Sequence, residues 1–185
     1  MPLFQNKFQT RSARHKNWDY AKDGYYFVTI CTKDMQEFFG EVINGKVILS
    51  DSGKIVSEEW IKTGEMRKNV KLDEWIVMPN HIHGIIELKN NNFLEPLHHE
   101  TPQRGVSTAI AKNWKPNSLG SIINQFKSAC TKRIWRSGFI DFKWQSRFYD
   151  RIIRDENALG KIREYIQRNP TFWNEDKNKV ENIFY

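Results

Sequence analysis

The period of apolar and polar positions changes several times along the chain, and each change predicts an element. Tyr25 to Thr32 (YYFVTICT) is aromatic and β-branched, the composition of a central strand. Phe38 to Ile43 and Lys46 to Ser50 flank Asn44-Gly45, a two-residue signal for a tight hairpin. Between Gly53 and Met66, the positions of Ile55, Val56, Trp60 and Ile61 follow helical spacing. Leu72 to Met78 reads as a strand, Pro79-Asn80 as a turn, and His81 to Leu88 as the next strand. A helix from about Ser118 to Ser137 carries one apolar stripe of Ile122, Ile123, Phe126, Cys130 and Ile134. Phe148 to Arg154 reads as a last strand, and Asp155 caps a helix from Glu156 to Arg168 that Asn169-Pro170 ends. Strands, hairpins and helices alternate without a repeat or a linker. The pattern predicts one α+β domain, a central antiparallel sheet with helices packed on it.

At 185 residues, with 7 Trp, 12 Phe and 6 Tyr, the chain has ample bulk for one core. Its mean hydropathy is −0.69, and no apolar run is long enough to span a membrane. The start, MPLFQNKFQTRSARHK, lacks the hydrophobic centre of a secretory signal. Cys31 and Cys130 are far apart and read as reduced core thiols of a cytoplasmic protein. Residues 1–19 are expected to form a basic arm, residues 20–175 the domain, and residues 176–185 a tail. Residues 89–117, with Asn90-Asn91-Asn92 and the prolines Pro96, Pro102 and Pro116, are expected to form a mobile loop.

Charge adds a partner class. The net charge is +7, and the excess is segregated. Thr101 to Ile140 holds Arg104, Lys112, Lys115, Lys127, Lys132, Arg133 and Arg136 without an acidic residue. Residues 1–16 add Lys7, Arg11, Arg14 and Lys16, again without one, and the remainder is net negative. Segregated positive charge favours a polyanion. Trp114, Trp135 and Trp144 lie near these cations and are of the type that stacks on unpaired bases.

The candidate chemistry centres on two segments. His81 and His83 are one residue apart on a strand and so share a face, with Ile82, Gly84, Ile86 and Leu88 on the other. Imidazoles about 6–7 Å apart along one strand face can share a metal ion. Their plain alternative is two polar side chains on the solvated face of a sheet. On the last helix, Leu159, Ile162 and Ile166 form the buried stripe. Lys161, Tyr165 and Asn169 recur at four-residue spacing on one face beside it. A tyrosine oxygen can attack a phosphodiester and hold one end covalently. With a free pKa of about 10, a phenol needs help to do so near neutral pH. A divalent metal on the scissile phosphate gives that help, and a lysine can support the developing charge.

Trp75-Ile76-Val77-Met78-Pro79-Asn80-His81-Ile82-His83 resembles the His-hydrophobic-His motif of HUH-superfamily single-tyrosine transposases. Glu164-Tyr165-Ile166-Gln167-Arg168-Asn169-Pro170 resembles their tyrosine-helix signature. Trp144-Gln145-Ser146-Arg147-Phe148-Tyr149-Asp150 is similar to the subgroup of REP-associated tyrosine transposases. The resemblance runs from about Tyr25 to Asn174, and its specificity lies in three motifs in one order.

It implies a ferredoxin-like fold with the catalytic tyrosine on a C-terminal helix, and a metal-dependent enzyme that nicks and joins single-stranded or hairpin DNA. By analogy Tyr165 is the nucleophile and forms a 5′-phosphotyrosine, His81 and His83 bind the metal, and Asn169 supplies the third ligand. Ligand type alone points to zinc, manganese or cobalt; the resemblance implies magnesium or manganese. It is compatible with a monomer or a homodimer. Arg147, Lys127, Lys132, Arg11 and Arg14 are the candidate DNA contacts, on charge and position. Two other readings compete: a host-retained protein that binds DNA hairpins without cutting, and a metal-dependent hydrolase that uses water as its nucleophile.

Overall fold

The computed structural model describes residues 18–89 and 116–173. The expected contacts Arg11 and Arg14, the tail, and most of the 89–117 loop lie outside them. Strand β1 is Gly24–Cys31, β2 is Gly40–Ile43, β3 is Lys46–Leu49, β4 is Val70–Met78, β5 is His81–Leu88 and β6 is Tyr149–Ile153. Helix α1 is Asp51–Glu65, α2 is Leu119–Arg136 and α3 is Glu156–Arg168. One antiparallel sheet has the order β4-β5-β1-β6, and β2-β3 is a separate hairpin. Without that hairpin the chain runs β-α-β-β-α-β, the connectivity expected of a ferredoxin-like sheet.

Local chemistry explains the element ends. In the hairpin turn Asn44 and Gly45 have φ of 50° and 72°, the left-handed pair that a tight antiparallel connection demands. Helix α1 begins two residues earlier than its apolar spacing suggested, because the Ser50 hydroxyl accepts from the Gly53 amide. Ser118 caps α2 and Asp155 caps α3 in the same way. Helix α3 ends at Arg168, before Asn169-Pro170, as the sequence predicts. Proline tolerates the first turn of a helical segment, and the chain continues into a 3-10 turn over Asn169–Phe172.

Both faces of the sheet are covered. On the first, Val28, Ile30, Ile82 and Ile86 pack against Val56 and Trp60 of α1 and Ile122, Phe126 and Ile134 of α2. Gly84 belongs to this face: a Cβ there would fall 2.4 Å from Cζ2 of the fully buried Trp60. On the second face, Phe27, Ile85 and Ile153 pack against Leu159, Ile162 and Ile166 of α3. Every residue of β5 is therefore buried. The solvated sheet face offered as the plain alternative for the histidines is absent, because α3 lies over it.

Strand β4 carries a register shift between Leu72 and Trp75 that the sequence pattern did not disclose. The irregularity presents Asp73 and Glu74 to α3. Asp73 takes both Nε (2.7 Å) and Nη2 (2.6 Å) of Arg163, and Gln167 donates to Glu74 at 3.1 Å. Helix α3 is thus held to the sheet by an apolar stripe and a charged clasp.

Candidate active site

The antiparallel register lays the site out. His83 lies opposite Thr29 on β1 and Ile76 on β4, and His81 lies opposite Cys31 and Met78. Directly opposed residues share a face, so Thr29 is placed beside the His83 ring. Its hydroxyl lies 2.9 Å from Nδ1 of His83. The two imidazole centroids are 4.3 Å apart. Phe27 stacks on His83 at 5.3 Å, and the Trp173 ring lies 6.0 Å from that of His81.

Helix α3 then brings its polar residues to this face. Tyr165 Oη is 3.2 Å from Nε2 of His83, and the Asn169 amide nitrogen donates to Tyr165 Oη at 2.9 Å. Residues 82 positions apart are thereby joined through one hydrogen bond. In the tautomer protonated at Nδ1, His83 donates to the Thr29 hydroxyl and accepts from Tyr165 at Nε2.

The other ring is fixed from the opposite side. Asn80 Nδ2 donates to the carbonyl of Met35 at 3.1 Å, which sets the direction of the amide. Asn80 Oδ1 therefore faces Nδ1 of His81, at 2.7 Å, and must accept from it. Nε2 of His81 is left as a bare lone pair, buried and without a hydrogen-bond partner among the described residues. Burial keeps both rings neutral. It pushes His81 down to about 3 and His83 well below the ordinary imidazole range, with the neighbouring His81 adding to the effect.

These observations fit a divalent cation. A buried imidazole lone pair, a second imidazole beside it and the side-chain amide of Asn169 are nitrogen and oxygen donors on one side of the sheet, and both rings are in the form that ligates. Among the described residues no group of three or more His, Cys, Asp or Glu side chains is placed to hold a metal.

The other sequence candidates are not at this cluster. Lys161 is exposed on α3 and makes no hydrogen bond among the described residues. Lys127 is half-buried, and its ammonium donates to the Gln145 carbonyl at 2.6 Å; desolvation lowers its pKa. Lys132 and Arg147 are exposed. Trp144 is half-buried among Phe39, Phe126 and Phe142 and donates to the Lys127 carbonyl, so it is part of the core instead of a stacking platform. Trp135 is 46% exposed. Cys31 and Cys130 are buried free thiols, and burial pushes Cys31 up to about 12. Sequence reasoning took Asn80 only as a turn residue and Thr29 only as a strand residue. The signal for Asn80 was its place immediately before the first histidine.

A Haemophilus influenzae protein of uncharacterised function is 37% identical over 177 residues, covering 92% of this chain and 93% of that one. The chain belongs to the same family as that protein. No family model matches it. The solved structure of a REP-associated tyrosine transposase bound to a REP hairpin superposes with a TM-score of 0.56 at 18% identity, over 86% of this chain and 73% of that one. At that identity the likeness is one of fold, an α+β domain with an antiparallel sheet. No helix among the described residues is long and apolar enough to cross a membrane.

Proposed function

We propose that this protein is a metal-dependent tyrosine transposase or strand transferase that nicks and rejoins single-stranded or hairpin DNA. The observation that carries the reading is the contact of Tyr165 Oη with His83 Nε2, beside the bare Nε2 of His81 and the amide of Asn169. A fold shared with a hairpin-bound transposase supports the choice of DNA as substrate.

Tyr165 Oη attacks the scissile phosphorus. The bond to the 3′ oxygen breaks, the tyrosine gives up its proton, and the departing oxygen gains one. The products are a 5′-phosphotyrosine and a free 3′-OH. Asn169 holds the phenol in line by its amide hydrogen bond. Phe27, Trp173 and the α3 stripe keep bulk water from the rings, so a charge developing there is weakly screened. His81, His83 and Asn169 would hold Mg2+ or Mn2+, which polarises the phosphate and stabilises its added charge. An incoming 3′-OH reverses the step and joins DNA without ATP.

The test is a covalent-adduct assay. Hairpin oligonucleotides are incubated with wild-type and Tyr165→Phe protein in Mg2+, Mn2+ or chelator and resolved on a denaturing gel. An adduct that requires both Tyr165 and metal is expected. Cleavage that survives Tyr165→Phe would instead identify water as the nucleophile. Hairpin binding without any cleavage would identify a binding protein.

A further inference from the structure

We infer that Asn80 and Thr29 are positioning residues that lock His81 and His83 in one tautomer, protonated at Nδ1, so that both Nε2 lone pairs are presented together on the Tyr165 side of the sheet. The inference rests on the reading of these rings as metal ligands. Its observations are independent of that reading.

Three anchors fix Asn80. Its backbone carbonyl accepts from the Thr32 amide at 2.9 Å and from the Thr32 hydroxyl at 3.0 Å. Its side-chain nitrogen donates to Met35. That carbonyl belongs to the tight turn over Lys33–Met35, in which Asp34 and Met35 both have left-handed φ, 54° and 56°. Two such residues in succession persist only where surrounding bonds over-determine them. The Thr32 hydroxyl shares its one proton between the Asn80 carbonyl and the Gln36 carbonyl, which lies 2.7 Å away. The turn and Asn80 thus brace each other, and the remaining Asn80 atom, Oδ1, can only accept. Strand register places the Thr29 hydroxyl 2.9 Å from Nδ1 of His83, where it accepts in the proposed tautomer.

A ring free to exchange tautomers spends part of its time with a proton where the ligand lone pair should be. It also leaves a buried donor facing a cation. Hydrogen bonds to the far nitrogen of a ligating histidine remove both costs, and losing one lowers metal affinity by about 10–100-fold.

The test reads the tautomers directly. Long-range proton–nitrogen NMR spectra of histidine-labelled, metal-free protein distinguish a protonated from a bare ring nitrogen. In the wild type both rings should show protonated Nδ1 and bare Nε2. Asn80→Ala should move His81 towards the other tautomer and weaken Mn2+ binding by about 10–100-fold, measured by calorimetry. Asn80→Asp, which keeps the acceptor, should restore the wild-type spectrum and most of the affinity. Thr29→Val, nearly isosteric, should affect His83 alone and keeps the test open if Asn80→Ala does not fold. A protonated Nε2 in the wild type, or unchanged tautomers in both Asn80→Ala and Thr29→Val, would overturn the inference. If the tautomers behave as expected but wild-type protein binds no Mn2+, the metal reading falls and the lock stands.

Discussion

The two faces of the sheet are made from the same strands and do different work. On the α1–α2 face the contributions of β5 are Ile82, Gly84, Ile86 and Leu88, packed among aromatic and aliphatic side chains. On the α3 face the same strand contributes His81, His83 and Ile85. Antiparallel sheets commonly leave one face to water; here the second face is dry but half polar. The difference teaches how buried imidazoles are tolerated. The first face is packed with apolar side chains, and the second combines an apolar stripe with polar groups paired through Thr29, Asn80, Tyr165 and Asn169. Among the described residues Nε2 of His81 is a buried polar atom without a hydrogen-bond partner, and it marks a place where function is expected.

This comparison can be broken from either side. The largest stability effect belongs to the apolar face: Trp60→Ala should cost about 3–5 kcal/mol. Urea denaturation should show it, and the folded fraction should keep wild-type histidine tautomers. On the other face, Ile166→Ala should cost about 2–5 kcal/mol. Here adduct formation per folded molecule should also fall, because the α3 stripe carries Tyr165. Equal adduct yields in these two variants would deny the faces their separate roles. Gly84→Ala should cost about 1–3 kcal/mol through the clash with Trp60, and Trp60→Leu should relieve part of it in the double variant.

The smallest effect is electrostatic. Arg163 holds the Asp73 carboxyl below its ordinary value of 3.8. A carboxylate with a depressed folded pKa contributes stability above the unfolded value and loses it as pH falls through the folded one. Asp73→Asn should therefore be less stable than wild type at neutral pH, and the two should converge in strong acid. A urea midpoint series against pH would show this. A constant gap would mean that the clasp acts by shape and not by charge.

Periodicity exposed the elements and the four residues that meet, because His81 and His83 obey the two-residue repeat and Tyr165 and Asn169 the helical one. It could not reveal how deeply they sit, since burial of β5 depends on where α3 lands. The shift between Leu72 and Trp75 breaks strand alternation, and only the acidic pair Asp73-Glu74 within an apolar run hints at it. Lys127 and Trp144 looked like surface binders because charge and aromaticity carry no record of partners; each is engaged by the 142–145 segment or its neighbours. Thr29 was invisible for the same reason, and Asn80 was marked only by its place before the first histidine, as their roles arise from register and turn geometry.

Tyr165 rides α3 and Asn169 the 3-10 turn that continues it, a cylinder clasped to β4 at Arg163 and Gln167. A lever of this kind has a single degree of freedom that matters. If the cylinder slides or rolls, the phenol and the amide leave the histidines in step. The assembly is therefore either whole or dismantled, and whatever grips or releases α3 at its clasp would set the throw of the entire site at once.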